Sequence, residues 1–223
     1  DVIVWDGGNN DTPFFKPDLG IVVFDPHRAG HETCYHPGET NMLMADVAVI
    51  NKVDSAQPEM VEQVRKTIEA NNPGAAIILA DSAVSVNDPE QVKGKRVLVV
   101  EDGPTLTHGE MSYGAGVIAA RRFGAASLAD PRPYLKGTLV NTFQAYPHIG
   151  TLLPAMGYSS GQIRDLEDTI NDCPCDLVLS ATPIDLTAVV KVNKPVVRVR
   201  YSYQDNSSPT LEDVIRNKLG GRL

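Results

Sequence analysis

The stretch Val47-Ala48-Val49-Ile50-Asn51-Lys52-Val53-Asp54 constrains this chain more than any other. Four apolar, mostly β-branched residues end in Asn-Lys-x-Asp, which predicts a buried strand delivering polar groups to its C-terminal edge. Open α/β sheets bind ligands along that edge. Asp54 there can accept two hydrogen bonds from the edge of a guanine, the Lys52 stem can cover the ring, and Asn51 can tie the loop to its neighbours. Four residues make a short motif, and an ordinary polar turn would read the same.

Its surroundings add weight. Val2-Ile3-Val4-Trp5 runs into Asp6-Gly7-Gly8, the pattern of a strand ending in a carboxylate and a glycine turn. Phosphoryl-transfer sites use such an Asp to hold Mg2+, so Asp6 is the candidate metal carboxylate. Ala76 to Ala80 reads as a strand ending in Asp81-Ser82-Ala83, where Ser82 and Ala83 can offer backbone N–H groups to a base. The order strand-Asp, strand-NKxD, strand-Ser-Ala matches the back half of a P-loop NTPase-like core. The phosphate loop itself, GxxxxGK[ST], is missing from the chain. The expectation is therefore a C-terminal portion of a longer protein whose phosphate loop lies upstream and is needed for activity.

Of the 223 residues, 42% are hydrophobic and 22% charged, with a net charge of −8. That balance suits a globular α/β chain and argues against nucleic-acid binding, which needs a basic footprint. No apolar run approaches the ~20 residues of a membrane helix. Cys34, Cys173 and Cys175 do not form a zinc-knuckle spacing and read as free thiols in a reducing cytoplasm.

Further along, Leu19 to Phe24 is expected as a strand, followed by a loop carrying His27, Arg28, His31, Glu32, His36 and Glu39. The loop suits three roles: a solvated turn, a Zn2+ or Ni2+ site, or an anion site where His27, Arg28 and His31 converge on phosphate oxygens. A fixed guanidinium repels a dication and attracts a phosphate, which favours the anion site. Thr40 is expected to cap a short helix through Met44. Pro58 to Ala70 is an amphipathic helix stopped at Asn71-Asn72-Pro73-Gly74. Residues 1–92 then form the nucleotide-binding half and residues 93–223 a further α/β segment packed on the same core.

That segment opens with a strand, Arg96 to Val100. A glycine-rich turn follows, holding Thr105, His108, Gly109, Tyr113, Gly114 and Gly116, and then a helix from Val117 to Phe123. A helix N-terminus attracts anions, so these residues are candidates for a second phosphate site. Helices are expected over 138–145, 160–171 (capped by Ser160) and 210–219, and strands over 150–155, 176–180 and 195–200. Strands alternating with helices give an α/β fold with a doubly wound, mostly parallel sheet.

The long runs DVIVWDGGNNDTPFFKPDLGIVVFDPHRAGHETCYHPGETNMLMADVAVINKVDSA and VLVVEDGPTLTHGEMSYGAG resemble the C-terminal half of the cyclic 2,3-diphosphoglycerate synthetase family. The resemblance implies an ATP-dependent ligase that closes a phosphoanhydride between the two phosphates of an anionic metabolite. It also implies Mg2+, an upstream phosphate loop and a homodimer. A more distant similarity is to nickel-insertion GTPases, which share the carboxylate-glycine-glycine segment and NKxD; their Cys-Pro-His metal triplet does not occur here. The NKxD motif by itself predicts GTP, whereas the resemblance implies ATP. ATP is the expected nucleotide if Asp54 accepts from the adenine amino group. In this scheme Asp6 positions Mg2+, and Asn51, Lys52, Asp54, Ser82 and Ala83 hold the base. His27, Arg28 and His31, with Glu32 beside them, clamp one substrate phosphate. Thr105, His108, Gly109, Tyr113, Gly114 and Gly116 clamp the other. The alternative function is a regulatory or metal-delivering GTPase with a His-rich metal loop.

Overall fold

The computed structural model describes residues 2–8, 11, 13–35, 37–107, 112–156 and 159–220, with the Thr105 side chain left aside. The first half forms β1 (Ile21–Phe24), α1 (Gly38–Met44), β2 (Val47–Ile50), α2 (Pro58–Asn71) and β3 (Ala76–Val86). The second half forms β4 (Arg96–Asp102), α3 (Gly103–Thr107), α4 (Ala115–Arg122), β5 (Ser127–Leu128), α5 (Thr138–Ala145), β6 (Leu153–Ala155), α6 (Ser160–Asp172), β7 (Leu177–Ala181), α7 (Leu186–Val189), β8 (Val196–Asp205) and α8 (Leu211–Leu219). These elements fall into two compact units, Asp1–Ala83 with Ser202–Leu223, and Val84–Tyr201.

In the first unit β1, β2 and β3 pair in parallel, with Ile21 opposite Val47 and Val47 opposite Ala76. All four β2 residues are buried, as a strand covered on both faces must be. One face packs Phe24, Ala48 and Ile50 against Met42 of α1 and Val61, Val64 and Ile68 of α2. The other packs Val47, Val49, Ile78 and Ala80 against Val214 of α8. Val61, Val64 and Ile68 recur at helical spacing, and Pro58 suits the first turn because its missing N–H is an orphan there anyway. Asn72 ends α2 and its amide donates to the carbonyls of Met42 and Ala45 at 2.9 and 2.8 Å, fixing the exit of α1.

In the second unit β4 is central. It pairs in parallel with β7 along one edge, and with β5 and then β6 along the other; β7 pairs in parallel with β8. Val97, Val99, Leu177 and Leu179 face α4 through Val117, Ala119 and Ala120. Leu98, Val100 and Val178 face Leu139 of α5 and Leu166 and Ile170 of α6. The α/β class and the parallel pairing thus agree with the sequence.

Several boundaries differ. Val2–Trp5 forms no strand, and Val2, Ile3 and Val4 lie exposed. β-propensity alone does not make a strand; a ladder partner is needed, and none stands beside these residues among those described. Thr40 lies inside α1, whose N-cap is Pro37. Ser159, not Ser160, caps α6, in a capping box with Gln162; Thr210 and Asp213 form another at α8. The strand expected over 150–155 is confined to Leu153–Ala155, because Pro147–Ile149 makes a 3₁₀ turn first. β3 runs on through Ser82 and Ala83 to Val86, where a turn was expected. Val84 supplies the reason, since it is buried in the core of the second unit.

Candidate nucleotide site

In the first unit the loops that follow β1 and β2 meet, and the β2 loop reaches β3 at Ser82, partway along that strand. β1 ends in Asp25, whose side chain also accepts from the His27 N–H at 3.1 Å and so starts the 3₁₀ turn Pro26–Arg28. β2 ends in Asn51, whose Oδ1 accepts from the Lys52 N–H at 2.9 Å. Lys52 holds a left-handed backbone, φ 61°. That conformation is uncommon for a residue with a side chain and tends to occur at functional loops.

This turn aims the Lys52 ammonium back at β1, with Nζ 2.6 Å from Asp25 Oδ2. The Arg28 guanidinium reaches the same oxygen at 3.4 Å. Burial by itself would raise the Asp25 carboxyl; the charges of Lys52 and Arg28, with their hydrogen bonds, outweigh it and hold the group below its ordinary range. His27 Nε2 lies 3.0 Å from Ser55 Oγ, linking the β1 turn to the β2 loop. Burial lowers the His27 imidazole, although the neighbouring Asp25 carboxylate pulls the other way. Asp54 is exposed, and its Oδ1 accepts from the Ser82 N–H at 3.0 Å. That bond joins the β2 loop to β3.

The structure thus brings together His27, Arg28, Asn51, Lys52, Asp54 and Ser82, with Ala83 next in β3. It adds two residues that sequence reasoning passed over, Asp25 and Ser55. Asp25 had a visible signal, an apolar quartet running into Asp-Pro. Other candidates lie elsewhere. Asp6 sits in an exposed segment without a strand to aim it. His31 is exposed with its ring 5.0 Å from Tyr35. Glu32 is buried and folds back so that Oε2 accepts from the Gly30 N–H at 2.8 Å. No group of three metal-ligating side chains occurs among the described residues. His36 lies outside them.

In the second unit the glycine-rich turn is arranged differently from the expectation. Thr105 belongs to the short helix α3, and His108 and Gly109 lie outside the described residues. Tyr113 packs against the α4 side of the core. Gly114 and Gly116 wrap around Glu101, a side chain at the end of β4 that is 2% exposed. Its Oε1 accepts from the N–H groups of Gly116 and Val117 at 2.9 and 3.2 Å. The N-terminal donors of α4, expected to face a substrate phosphate, here hold the chain's own carboxylate. A Cβ on Gly114 would come within 2.6 Å of Glu101 Oε2, so the close approach requires glycine. Burial pushes the Glu101 carboxyl up to about 7, against the hydrogen bonds from Val117 and Gly116; nearby Asp102 adds to the rise. The signal that could have found it is the glutamate closing an otherwise apolar strand just before the glycines.

All three thiols are free, and burial pushes Cys173 up to about 11, far from a reactive thiolate. No helix among the described residues is long and apolar enough to cross a membrane.

No family model matches the chain. It is similar to the arginine synthetase ArcE of Thermococcus kodakarensis, 55% identical over 215 residues, which cover 96% of this chain and 48% of that protein. It is also similar to the cyclic 2,3-diphosphoglycerate synthetase of Thermococcus sibiricus, 28% identical over 104 residues, which cover 47% of this chain and 24% of that protein. The chain thus spans about half the length of the first relative and about a quarter of the second.

Proposed function

We propose that this chain belongs to an ATP-dependent synthetase and supplies its nucleotide-base loop from the first unit, with arginine as the product. The observation that carries the reading is the Asp25–Lys52 pair at the shared edge of two parallel strands, beside Asp54 and Ser82. The 55% identity to a protein named arginine synthetase favours the product. ATP supplies a phosphoryl group that turns a substrate oxygen into a leaving group, as synthetases in general require.

The residues divide the work as follows. Asp54 holds the base edge, positioned by the Ser82 N–H that it accepts rather than sharing that donor with the base, with Asn51 and Ala83 shaping the loop, and the Lys52 stem covers the ring. Arg28 offsets charge on the transferring phosphoryl group, where a fixed cation acts without reorganisation. Asp25 keeps both cations aimed at the strand edge. Two cations already neutralise Asp25, which makes it a poor ligand for Mg2+, and Asp6 lies in an exposed segment with no strand to aim it, so the described residues present no carboxylate placed to hold the ion. A P-loop NTPase-like core and a homodimer remain parts of this proposal.

A second reading, closure of cyclic 2,3-diphosphoglycerate, is favoured by the 28% identity over 104 residues. Mass spectrometry of products from the full-length gene product separates the two. Incubation with ATP, Mg2+ and citrulline plus ammonium is expected to yield arginine, ADP and phosphate, the ureido oxygen of citrulline leaving on the phosphate as ammonia takes its place. Incubation with ATP and 2,3-diphosphoglycerate tests the alternative, through a product lighter by one water. Neither product, with no ADP released in either mixture, overturns the synthetase reading.

A further inference from the structure

Among the described residues, β1 pairs with β2 on one side and with no strand on the other. Gly20 and Phe24 turn their carbonyls to β2, accepting from the N–H groups of Val47 and Asn51 at 3.0 Å each. Backbone groups alternate in direction along a strand, so the N–H and C=O of Ile21 and Val23 point the other way. No strand meets them there among the described residues. The same two residues carry exposed side chains, Ile21 at 40% and Val23 at 64%, while Phe24 on the opposite face is buried.

The neighbouring helix α1 also ends in exposed apolar residues. Leu43 and Met44, both exposed, end α1, and the Met44 carbonyl packs against Gly20 at the foot of β1. Parallel sheets are ordinarily covered on both faces, and an apolar strand edge left bare is a template for another strand. On the Val47–Val49 face α8 covers β2 and β3 through Val214, but Ile21 and Val23 stay uncovered.

We propose that this edge and face seat a parallel strand, and an element covering it, from the polypeptide that corresponds to the part of the Thermococcus kodakarensis relative outside the match. That relative carries about as much chain again as the matched 48%. A second copy fits less well. A two-fold axis would set β1 antiparallel to itself, against the parallel pattern of β1, β2 and β3, and over only four residues.

Hydrogen exchange tests this on two molecules, the 223-residue chain and the full-length relative. The amides of Ile21 and Val23 are expected to exchange rapidly in the chain. At the aligned strand of the relative they should be slower by about a hundredfold or more, as ladder bonds give. Val23→Lys and Val23→Pro should leave the melting temperature of the chain unchanged, because side chain and N–H both face outward. The same substitutions at the aligned position of the relative should lower its melting temperature and release the protection. Equal exchange rates in the two molecules would overturn the proposal. So would protection in the chain alone accompanied by a doubled mass in light scattering, which would assign the edge to a second copy.

Discussion

Lys52 Nζ lies 2.6 Å from Asp25 Oδ2, and the two residues come from the ends of neighbouring parallel strands. The carboxylate is 14% exposed and the lysine side chain 37%, so water screens the pair only partly. This contact closes the strand edge on the side where the nucleotide is proposed to sit. Lys52→Ala should lower affinity for Mg-ATP about tenfold or more in the full-length gene product, read by calorimetry. Its effect on stability should stay near 1 kcal/mol, the range of partly exposed pairs. The Asp25 carboxyl is held below its ordinary value, so the stability it contributes is present above pH about 4 and lost as pH falls further. Acid denaturation of wild type and Asp25→Asn should therefore diverge above that pH and converge below it.

Asp54 ties the β2 loop to β3 through the Ser82 N–H yet remains exposed. Asp54→Ala is expected to weaken nucleotide binding about tenfold while changing folding stability by no more than about 1 kcal/mol, since one exposed hydrogen bond is lost. Paired titrations with ATP and GTP, together with denaturation curves, check both halves. A fall in stability without a fall in affinity would make Asp54 a loop staple only.

Glu101 gives the second unit a pH dependence of the opposite sign. Its carboxyl moves from an ordinary 4.5 up to about 7 on burial. Between those values the folded chain keeps a proton that the unfolded chain has released. Stability therefore falls as pH rises from about 4.5 to 7, by on the order of 3 kcal/mol at most. Glu101→Gln should flatten this slope. Urea denaturation at pH 5 and pH 8 measures it, and the comparison holds even if the amide shifts both values by a constant.

Gly116→Ala would place a Cβ 2.6 Å from Val99 Cγ1 and 3.0 Å from Glu101 Oε1. Val99 belongs to a closed core cluster and has nowhere to retreat. The expected loss is about 1–3 kcal/mol, the usual cost of overpacking, seen as a lower urea midpoint. Gly161→Ala serves as the control, because its nearest neighbour stands 3.9 Å away.

Much of the fold was legible because local and global signals agree. The buried quartet Val47–Ile50 and the helical stripe Val61, Val64 and Ile68 describe elements whose burial matches their period. The site was legible where polar residues directly follow a strand, as with Asn51, Lys52 and Asp54. It failed where pairing decides. Val2–Trp5 has strand composition without a strand beside it, and so Asp6 lost the support that made it a candidate, while Asp25 gained it. A glycine-rich turn before a helix reads alike whether it cradles a phosphate or a glutamate of the same chain. Only the spatial return of Glu101 to Gly116 separates the two.

The left-handed backbone of Lys52 has one more consequence. Glycine would hold that turn without steric cost, so the path of the chain does not depend on a lysine being there. What depends on it is where the ammonium ends up. Rotating this single peptide back toward an extended conformation would carry the side chain across to the other flank of the loop and leave Asp25 facing Arg28 alone. The torsion of one residue thus decides how many positive charges share one carboxylate.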